Sequence, residues 1–496
     1  MTMYRLVIYS LSGLYAIGIL FAWLTWLPFS PITMLVVLAI IYGVCYLANA
    51  VFAGVFEAPS NSESVLITAL ILALIVSPVI TTGVDLGFLI WVSILAMSAK
   101  YILAIRKKHL FNPAAVAVAI TAFTIGQSAS WWIGTAVMLP FTALVTLLIT
   151  RKIRRFDLVL SFVLTASVAV VVYGLISHSD ILLSLRRLWV DAPLVFFAGV
   201  MLTEPQTTPP TRPRRIVYGI LTGLLVPPFV NFAGIYFTPE LALIAGNVYS
   251  YLAGSKVKLV LKLKEKIKVA TDTYDLLFEP DQRLAWQPGQ YMEWTLAHDR
   301  ADTRGIRRYF TIASSPTEAG LRLGVKFYPR SSTYKKSLGS LKEGDKIVAS
   351  QLAGDFTLPK DQREKLVFIA GGIGVTPFRS IIKYLLDKNE KRDIVIFYTN
   401  NFSTDIAYRE LFDEAGRKFS LPVHYVLTDK NRAPANWDGP VGFLTAELFA
   451  RLVPDWQDRT FFLSGPQAMI ESYREVLRRM GVPPSRIKTD YFPGFV

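Results

Sequence analysis

Four short stretches in the second half of the chain place reactive or ligand-binding residue types at the ends of apolar runs. The first reads Arg308-Tyr309-Phe310-Thr311-Ile312-Ala313-Ser314-Ser315-Pro316. The planar fork of an arginine matches the oxygens of a pyrophosphate. Tyr309 and Phe310 alternate along a strand, so one aromatic can lie flat on a planar ring system, and Thr311 can offer its hydroxyl to a ring nitrogen. The second, Arg330-Ser331-Ser332-Thr333-Tyr334, brings hydroxyls and free amides to a helix start, which suits a phosphate. A plain helix cap would use the same residues. The third, Ala370-Gly371-Gly372-Ile373-Gly374-Val375-Thr376-Pro377, lets backbone approach a ligand closely and ends on a helix amino terminus, which favours an anion. The fourth, Ser464-Gly465-Pro466-Gln467-Ala468-Met469, also follows a strand.

These stretches need a scaffold, and the sequence supplies two kinds. From residue 256 apolar and polar residues alternate in KVKLVLKLK, the signature of a half-buried strand. Further short strands and turns to about 359 suggest a small antiparallel barrel. From 360, KLVFIAGG, RDIVIFYTNN, LPVHYVL and RTFFLSGP read as buried strands separated by helices, an α/β doubly wound pattern. Residues 1–255 differ abruptly, being dominated by long apolar runs. The expectation is a multi-pass α-helical membrane domain (1–255), a β-barrel (256–359) and an α/β dinucleotide-type domain (360–496).

Composition excludes several chemistries. One cysteine, Cys45, cannot build a disulfide framework or an all-cysteine iron–sulfur cluster. Of the four histidines, only His109 and His178 lie in the apolar half, and at different ends of it, which speaks against haem. No metal site is expected. The net charge of +15 is largely placed in short loops between apolar segments, so nucleic acid is not the expected partner.

A membrane-crossing helix needs about 20 mostly apolar residues. On that basis about ten helices are expected, near 4–25, 31–54, 63–80, 85–105, 112–126, 130–150, 156–176, 188–203, 214–234 and 238–254. With the amino terminus inside, the inner loops carry Arg106, Lys107, Lys108, Arg151, Lys152, Arg154, Arg155, Arg212, Arg214 and Arg215, whereas the outer loops carry only Arg186 and Arg187. This bias places both termini and the polar half in the cytoplasm. The first apolar segment lacks a basic start and a small-residue cleavage site, so it reads as a retained helix. Two segments interrupt the apolar pattern: His109-Leu110-Phe111-Asn112-Pro113, and Met201 to Arg215 with Glu204 and Pro205. Breaks at membrane depth survive only inside protein or along a cavity, which makes Asn112 and Glu204 candidate cofactor-binding residues. Helix ends near the membrane surface would give the same pattern.

Together, and in this order, the four soluble-half stretches resemble the ferredoxin–NADP reductase superfamily over essentially all of 256–496, with Pro288-Gly289-Gln290-Tyr291 resembling its turn before the flavin strand. The resemblance implies FAD bound by the barrel and NADH or NADPH bound by the α/β domain. It assigns Arg308, Tyr309, Phe310 and Thr311 to the flavin motif, and Ser331, Ser332 and Thr333 to the flavin diphosphate. Gly371, Gly372, Gly374 and Thr376 match the nicotinamide pyrophosphate turn, and Gly465 and Pro466 follow the strand end at Ser464. Asp490 and Phe492 match an acidic-x-aromatic ending beside the flavin, so Thr311, Ser464, Asp490 and Phe492 are the catalytic candidates. Serine at 464 departs from the cysteine of many members. Thr399, Asn400 and Asn401 bring no cation to the end of the second α/β strand, which favours NADH over a 2′-phosphorylated cofactor.

Residues 61–75, 108–120 and 196–225 resemble the large membrane subunits of two redox complexes, the sodium-pumping NADH:quinone oxidoreductase and the Rnf electron-transport complex. That family has ten helices and carries flavin in the membrane. Its Ser-Gly-Ala-Thr flavin-attachment sequence is missing here, which leaves a second, non-covalent flavin (FMN or riboflavin) or a quinone between the two interrupted segments. The expected function is a flavoprotein oxidoreductase of the bacterial cytoplasmic membrane. It takes hydride from NAD(P)H onto FAD and passes single electrons into the membrane domain, to a quinone or to an extracytoplasmic acceptor. The alternative is a redox-driven, cation-translocating component of a larger complex.

Overall fold

A computed structural model of the chain describes residues 3–56, 62–105, 108–232, 234–254, 258–298, 302, 306–329, 331–429 and 433–490. The chain divides into two compact units, the division falling between Lys256 and Val257 beside the break in composition.

The first unit is helical. Its helices are α1 (Met3–Trp23), α2 (Pro31–Val55), α3 (Ser62–Ile75), α4 (Gly83–Ile102), α5 (Pro113–Ile125), α6 (Leu139–Ile153), α7 (Phe156–Ser177), α8 (Ile181–Arg186), α9 (Leu194–Phe196), α10 (Arg212–Leu225) and α11 (Pro239–Ala253). Each of the ten expected spans overlaps helical residues, but among the described residues four helices, α1, α2, α4 and α7, are long and apolar enough to cross a membrane by length and composition. The eighth span is the most broken: α8 and α9 each run on as π-helical turns, over Arg187–Asp191 and Phe197–Met201, with Pro193 between them. α3 and α5 are apolar but only 14 and 13 residues long. Both are packed inside the unit, and irregular backbone follows each. Such backbone must be satisfied by protein where lipid cannot serve. Trp131 N–H donates to Ile75 O at 2.8 Å, and the Trp132 indole N–H to Ala73 O at 2.9 Å, closing the end of α3.

The break at Asn112 is a helix start. Asn112 is the N-cap of α5, its Oδ1 accepting from Ala115 N at 3.1 Å, and Pro113 occupies the first helical turn, where no donor is lost.

The second unit holds two lobes. The barrel strands are β1 (Leu259–Ala270), β2 (Thr273–Pro280), β3 (Tyr291–Thr295), β4 (Arg307–Thr311), β5 (Leu321–Lys326) and β6 (Lys346–Ala353). They pair antiparallel in the order β4-β3-β6-β1-β2-β5. Edge strands β4 and β5 meet beyond Thr311, where Ala313 N–H donates to Arg322 O at 2.9 Å, so the sheet curls toward closure. α12 (Thr333–Ser340) follows β5. The α/β lobe has parallel strands β7 (Leu366–Gly371), β8 (Ile394–Asn400), β9 (Val423–Leu427), β10 (Thr460–Ser464) and β11 (Ile487–Thr489), in the order β9-β8-β7-β10-β11. Its helices are α13 (Thr376–Lys388), α14 (Arg409–Phe419), α15 (Ala446–Leu452) and α16 (Gln467–Arg479). Every residue of β7 and β8 is buried, as a parallel strand covered on both faces requires. The expected boundary between lobes, 359 and 360, lies in the strand-free stretch between β6 and β7.

Candidate functional site

Three of the four catalytic candidates meet between the lobes. Thr311 ends β4 and Ser464 ends β10, and both are 3% exposed. Asp490 follows β11, its N–H donating to Leu463 O at 2.9 Å, which holds it beside the end of β10. Its Oδ2 accepts from Ser464 Oγ at 3.1 Å and, at the limit of hydrogen-bond length, from Thr311 Oγ1 at 3.5 Å. One carboxylate thus touches hydroxyls from both lobes. Phe492 lies outside the described residues.

The glycine turn is shaped by its neighbours. A Cβ on Gly374 would lie 2.5 Å from Gly465 Cα and N, and one on Gly371 would lie 2.2 Å from Met469 Sδ. The turns after β7 and β10 therefore pack backbone against backbone, which accounts for Gly371, Gly374 and Gly465 without invoking a ligand. Gly372 is different: its φ is +52° and the space beside it is open. A 3-10 turn, Gly372–Val375, runs directly into α13 and starts with no side-chain cap, so the amides that suit an anion are those of this turn; Thr376 N–H already bonds Ile373 O and Pro377 has no N–H. Thr376, at its first position, bonds back to Ile373 O at 3.3 Å. Pro466 lies at the start of α16, which also has no side-chain cap. A dinucleotide's pyrophosphate fits this donor set.

On the barrel, Arg308 is 5% exposed and lies over the Tyr334 ring, 5.0 Å from its centroid. Phe310 approaches the same ring at 6.2 Å. Tyr309 points elsewhere, edge-on to Tyr291 at 5.7 Å, with its hydroxyl 3.3 Å from Gln351 Oε1. The hydroxyl cluster that follows behaves as a turn. Ser331 Oγ donates to Tyr328 O at 2.6 Å and accepts from Tyr328 N at 2.9 Å. Ser332 caps α12, accepting from Lys335 N at 3.3 Å. Thr333 Oγ1 accepts from Asp302 N at 2.9 Å and lies 3.0 Å from His298 Nε2. Arg330 lies outside the described residues. Two of the three hydroxyls expected at the flavin diphosphate, Ser331 and Ser332, are thus engaged in local structure, because a short side chain reaches its own backbone, and Thr333 is engaged with residues distant in the chain. Arg308 is engaged as well, Nη1 donating to Arg307 O at 2.6 Å and Nη2 lying 3.6 Å from Asp302 Oδ1, and it brings the charge that a diphosphate would meet here. His298 and Asp302 carry no signal in the sequence, because β4 and β5 separate them from Thr333 along the chain.

A polar network joins the lobes around this centre. Arg379 of α13 donates to Ala313 O at 2.9 Å and pairs with both oxygens of Glu318, Nη2 reaching Oε1 at 2.8 Å. Burial works to raise the Glu318 carboxyl, but the Arg379 hydrogen bond and charge outweigh it and hold it below the usual range. Ser380 Oγ donates to Ser314 O at 2.7 Å.

In the helical unit the two interrupted segments touch. Asn112 Nδ2 donates to Glu204 Oε2 at 3.0 Å, and His109 Nε2 lies 3.4 Å from Glu204 Oε1. Asn112 N–H donates to Asn247 Oδ1 at 2.8 Å, and Asn247 Nδ2 donates to the Tyr218 hydroxyl at 2.9 Å. Asn247 and Tyr218 are fully buried. Sequence reading missed both, although an amide inside the apolar run Leu241-Ala242-Leu243-Ile244-Ala245-Gly246-Asn247 is the signal that marks one. It also missed Lys100, whose Nζ reaches Ser64 O at 3.0 Å between helices. Among the described residues no group of three or more His, Cys, Asp or Glu side chains is placed to hold a metal ion.

Comparison with known proteins agrees with the soluble half. Residues 368–475 match the oxidoreductase NAD-binding domain family. The chain is 27% identical over 233 residues to the glycine betaine monooxygenase reductase subunit of Pseudomonas aeruginosa, covering 46% of this chain and 63% of that protein. It is 31% identical over 202 residues to one subunit of the Na(+)-translocating NADH-quinone reductase of Neisseria meningitidis, covering 38% and 50%. It is 31% identical over 185 residues to NADH-cytochrome b5 reductase 1 of Meyerozyma guilliermondii, covering 36% and 64%. The chain thus spans less than two thirds of these curated relatives. Among solved structures, the cytochrome b5 reductase domain of Ulva prolifera nitrate reductase is 22% identical, with a TM-score of 0.42, covering 47% of this chain and 97% of that one.

Proposed function

We propose that the chain is a membrane-bound flavoprotein oxidoreductase that takes hydride from NADH onto FAD in its second unit and delivers single electrons to its helical unit. The observation that carries this reading is the meeting of Thr311, Ser464 and Asp490 at one carboxylate between a barrel and a doubly wound lobe. When bound, a flavin accepts a hydride and can release its electrons singly, which nicotinamide cannot. The protein's part is to hold the two ring systems. Arg308 and the α12 start fix one, the α13 start and Gly372 the other, and the buried hydroxyls of Thr311 and Ser464 supply directed hydrogen bonds in a site shielded from water. The family match to an NAD-binding domain supports the nicotinamide part. Thr399 and Asn400, buried at the end of β8, bring no cation to a 2′-phosphate, which favours NADH.

In the helical unit, the contact of Asn112 with Glu204 supports a site for a quinone or a non-covalent flavin between the interrupted segments. The cations of the inner loops support a cytoplasmic side of a bacterial membrane for both termini and the second unit. One observation favours cation translocation as a second reading: Glu240 is only 3% exposed within the helical unit, with one oxygen bonded to Trp131 Nε1 at 3.0 Å. Anaerobic stopped-flow mixing with NADH and with NADPH tests the first reading. Rapid bleaching of the visible flavin band by NADH is expected, and no bleaching by either nucleotide refutes it.

A further inference from the structure

Tyr408 sits in the left-handed backbone region, with φ of +56°, immediately before α14. A residue with a side chain is strained in that conformation, so something must hold it. Its hydroxyl donates to Asp275 Oδ1, and Asp275, on β2 of the barrel, is 1% exposed. The same carboxylate pairs with Arg322 through Oδ2 at 3.2 Å. The Arg379 guanidinium lies 5.7 Å from the centroid of the Tyr408 ring. Burial, with the Asp275 charge beside it, raises the Tyr408 hydroxyl well above its ordinary range, so it stays a donor through the working pH range.

Gly324 on β5 marks where this contact closes. A Cβ there would lie 2.7 Å from Thr376 Cγ2, 2.7 Å from the Tyr408 hydroxyl and 3.4 Å from Asp275 Oδ1. A single notch in the barrel wall therefore receives two residues of the α/β lobe: Tyr408 from the loop after β8, and Thr376 from the start of α13. α13 is bolted a second time through Ser380 and Arg379 to Ser314 and Ala313, just beyond Thr311.

We propose that Tyr408, seated in the Gly324 notch on Asp275, is a positioning residue that sets how closely the Thr376 turn approaches the flavin strand. It thereby fixes the distance over which hydride passes. This rests on the nicotinamide-to-flavin reading above. Tyr408 touches neither reacting ring; it acts through the lobe it anchors. Hydride transfer is steep in distance, and a misplacement of about 1 Å can cost about a hundredfold in rate.

The test uses the full chain in detergent with FAD bound. Tyr408→Phe removes the hydroxyl but keeps the ring. At saturating NADH its flavin-bleaching rate is expected to fall about ten- to a hundredfold, with the half-saturating NADH concentration little changed. The long-wavelength charge-transfer absorbance of flavin with bound nicotinamide should weaken. Hydrogen exchange should quicken at residues 313–314 and 376–380. Gly324→Ala is the second variant, wedging the same notch from the barrel side, and should show the same pattern with Tyr408 intact. A Tyr408→Phe protein with unaltered bleaching rate and charge-transfer band overturns the proposal, even if it melts at a lower temperature. If the unsubstituted protein is not bleached by nicotinamide, the functional reading itself has failed, and the two failures are told apart.

Discussion

At the residue scale, Asp490 is the acceptor on which the site converges. Ser464 and Thr311 are both buried and both direct a hydroxyl to it. Removing the acceptor leaves two buried donors, each costing about 1–3 kcal/mol if nothing replaces it. Asp490→Ala is therefore expected to lower both thermal stability and the hydride-transfer rate. Ser464→Ala removes one donor and leaves the acceptor with Thr311, so its stability cost is about 1 kcal/mol. Thermal melts beside stopped-flow bleaching check the order. Equal effects of the two variants would show that Asp490 does not gather the pair. Part of this centre is legible from residue types: the strand-end stretches mark Thr311 and Ser464, whereas Asp490 enters only through the resemblance of the acidic-x-aromatic ending to that of the ferredoxin–NADP reductase superfamily. What they do not convey is occupancy. Ser331 and Ser332 have the right chemistry for phosphate, but local geometry engages them with Tyr328 and Lys335, and a one-dimensional pattern does not say which acceptor or donor a hydroxyl will find.

At the element scale, the two turns after β7 and β10 are one packed object. Gly374→Ala must push a methyl group into Gly465 backbone at 2.5 Å, and backbone cannot yield as a flexible side chain can. Overpacking of this kind costs about 1–3 kcal/mol or more, and NADH affinity should fall with it. Gly372→Ala meets no neighbour and suffers only the left-handed backbone penalty at φ +52°, about 1 kcal/mol. Denaturation midpoints for the pair should separate them in that order; the reverse order would mean that the turns do not pack as described. The bond between Arg379 on α13 and Glu318 before β5 adds a pH dependence. Because the folded Glu318 carboxyl lies below its unfolded value, its contribution is fully present above the unfolded pKa and is lost as pH falls through the folded one. Glu318→Gln should therefore lower stability at neutral and alkaline pH, where the contribution is present, and change it little below the folded pKa, which flattens the acid side of the profile. Neither interaction shows in the sequence, because both join elements distant in the chain, whereas strands and helix starts follow from local patterns.

At the scale of the whole molecule, the question is how electrons leave the second unit. Apolar runs make a helical first half legible, and the breaks at Asn112 and Glu204, which touch in the structure, are legible as interruptions within it. Helix length is not legible. α3 and α5 are short because their ends are closed by protein, through Trp131, Trp132 and Asn112, and an apolar run does not reveal that. The hydrocarbon core is about 30 Å thick, and a 13-residue helix such as α5 spans about 20 Å. Electron tunnelling falls steeply over such distances, so transfer to an outer acceptor requires a carrier between. Cys45 alone cannot hold a cluster, and His109 is engaged with Glu204. In the function proposed above, a second flavin held without a covalent bond near Asn112 would be that carrier. Acid extraction of the purified protein, followed by chromatographic separation of FAD, FMN and riboflavin, decides it. The expected result is FAD plus a second flavin, both released on denaturation, with Asn112→Ala losing only the second. FAD alone, at one per chain, would exclude the relay and leave direct reduction of a quinone on the cytoplasmic side as the route.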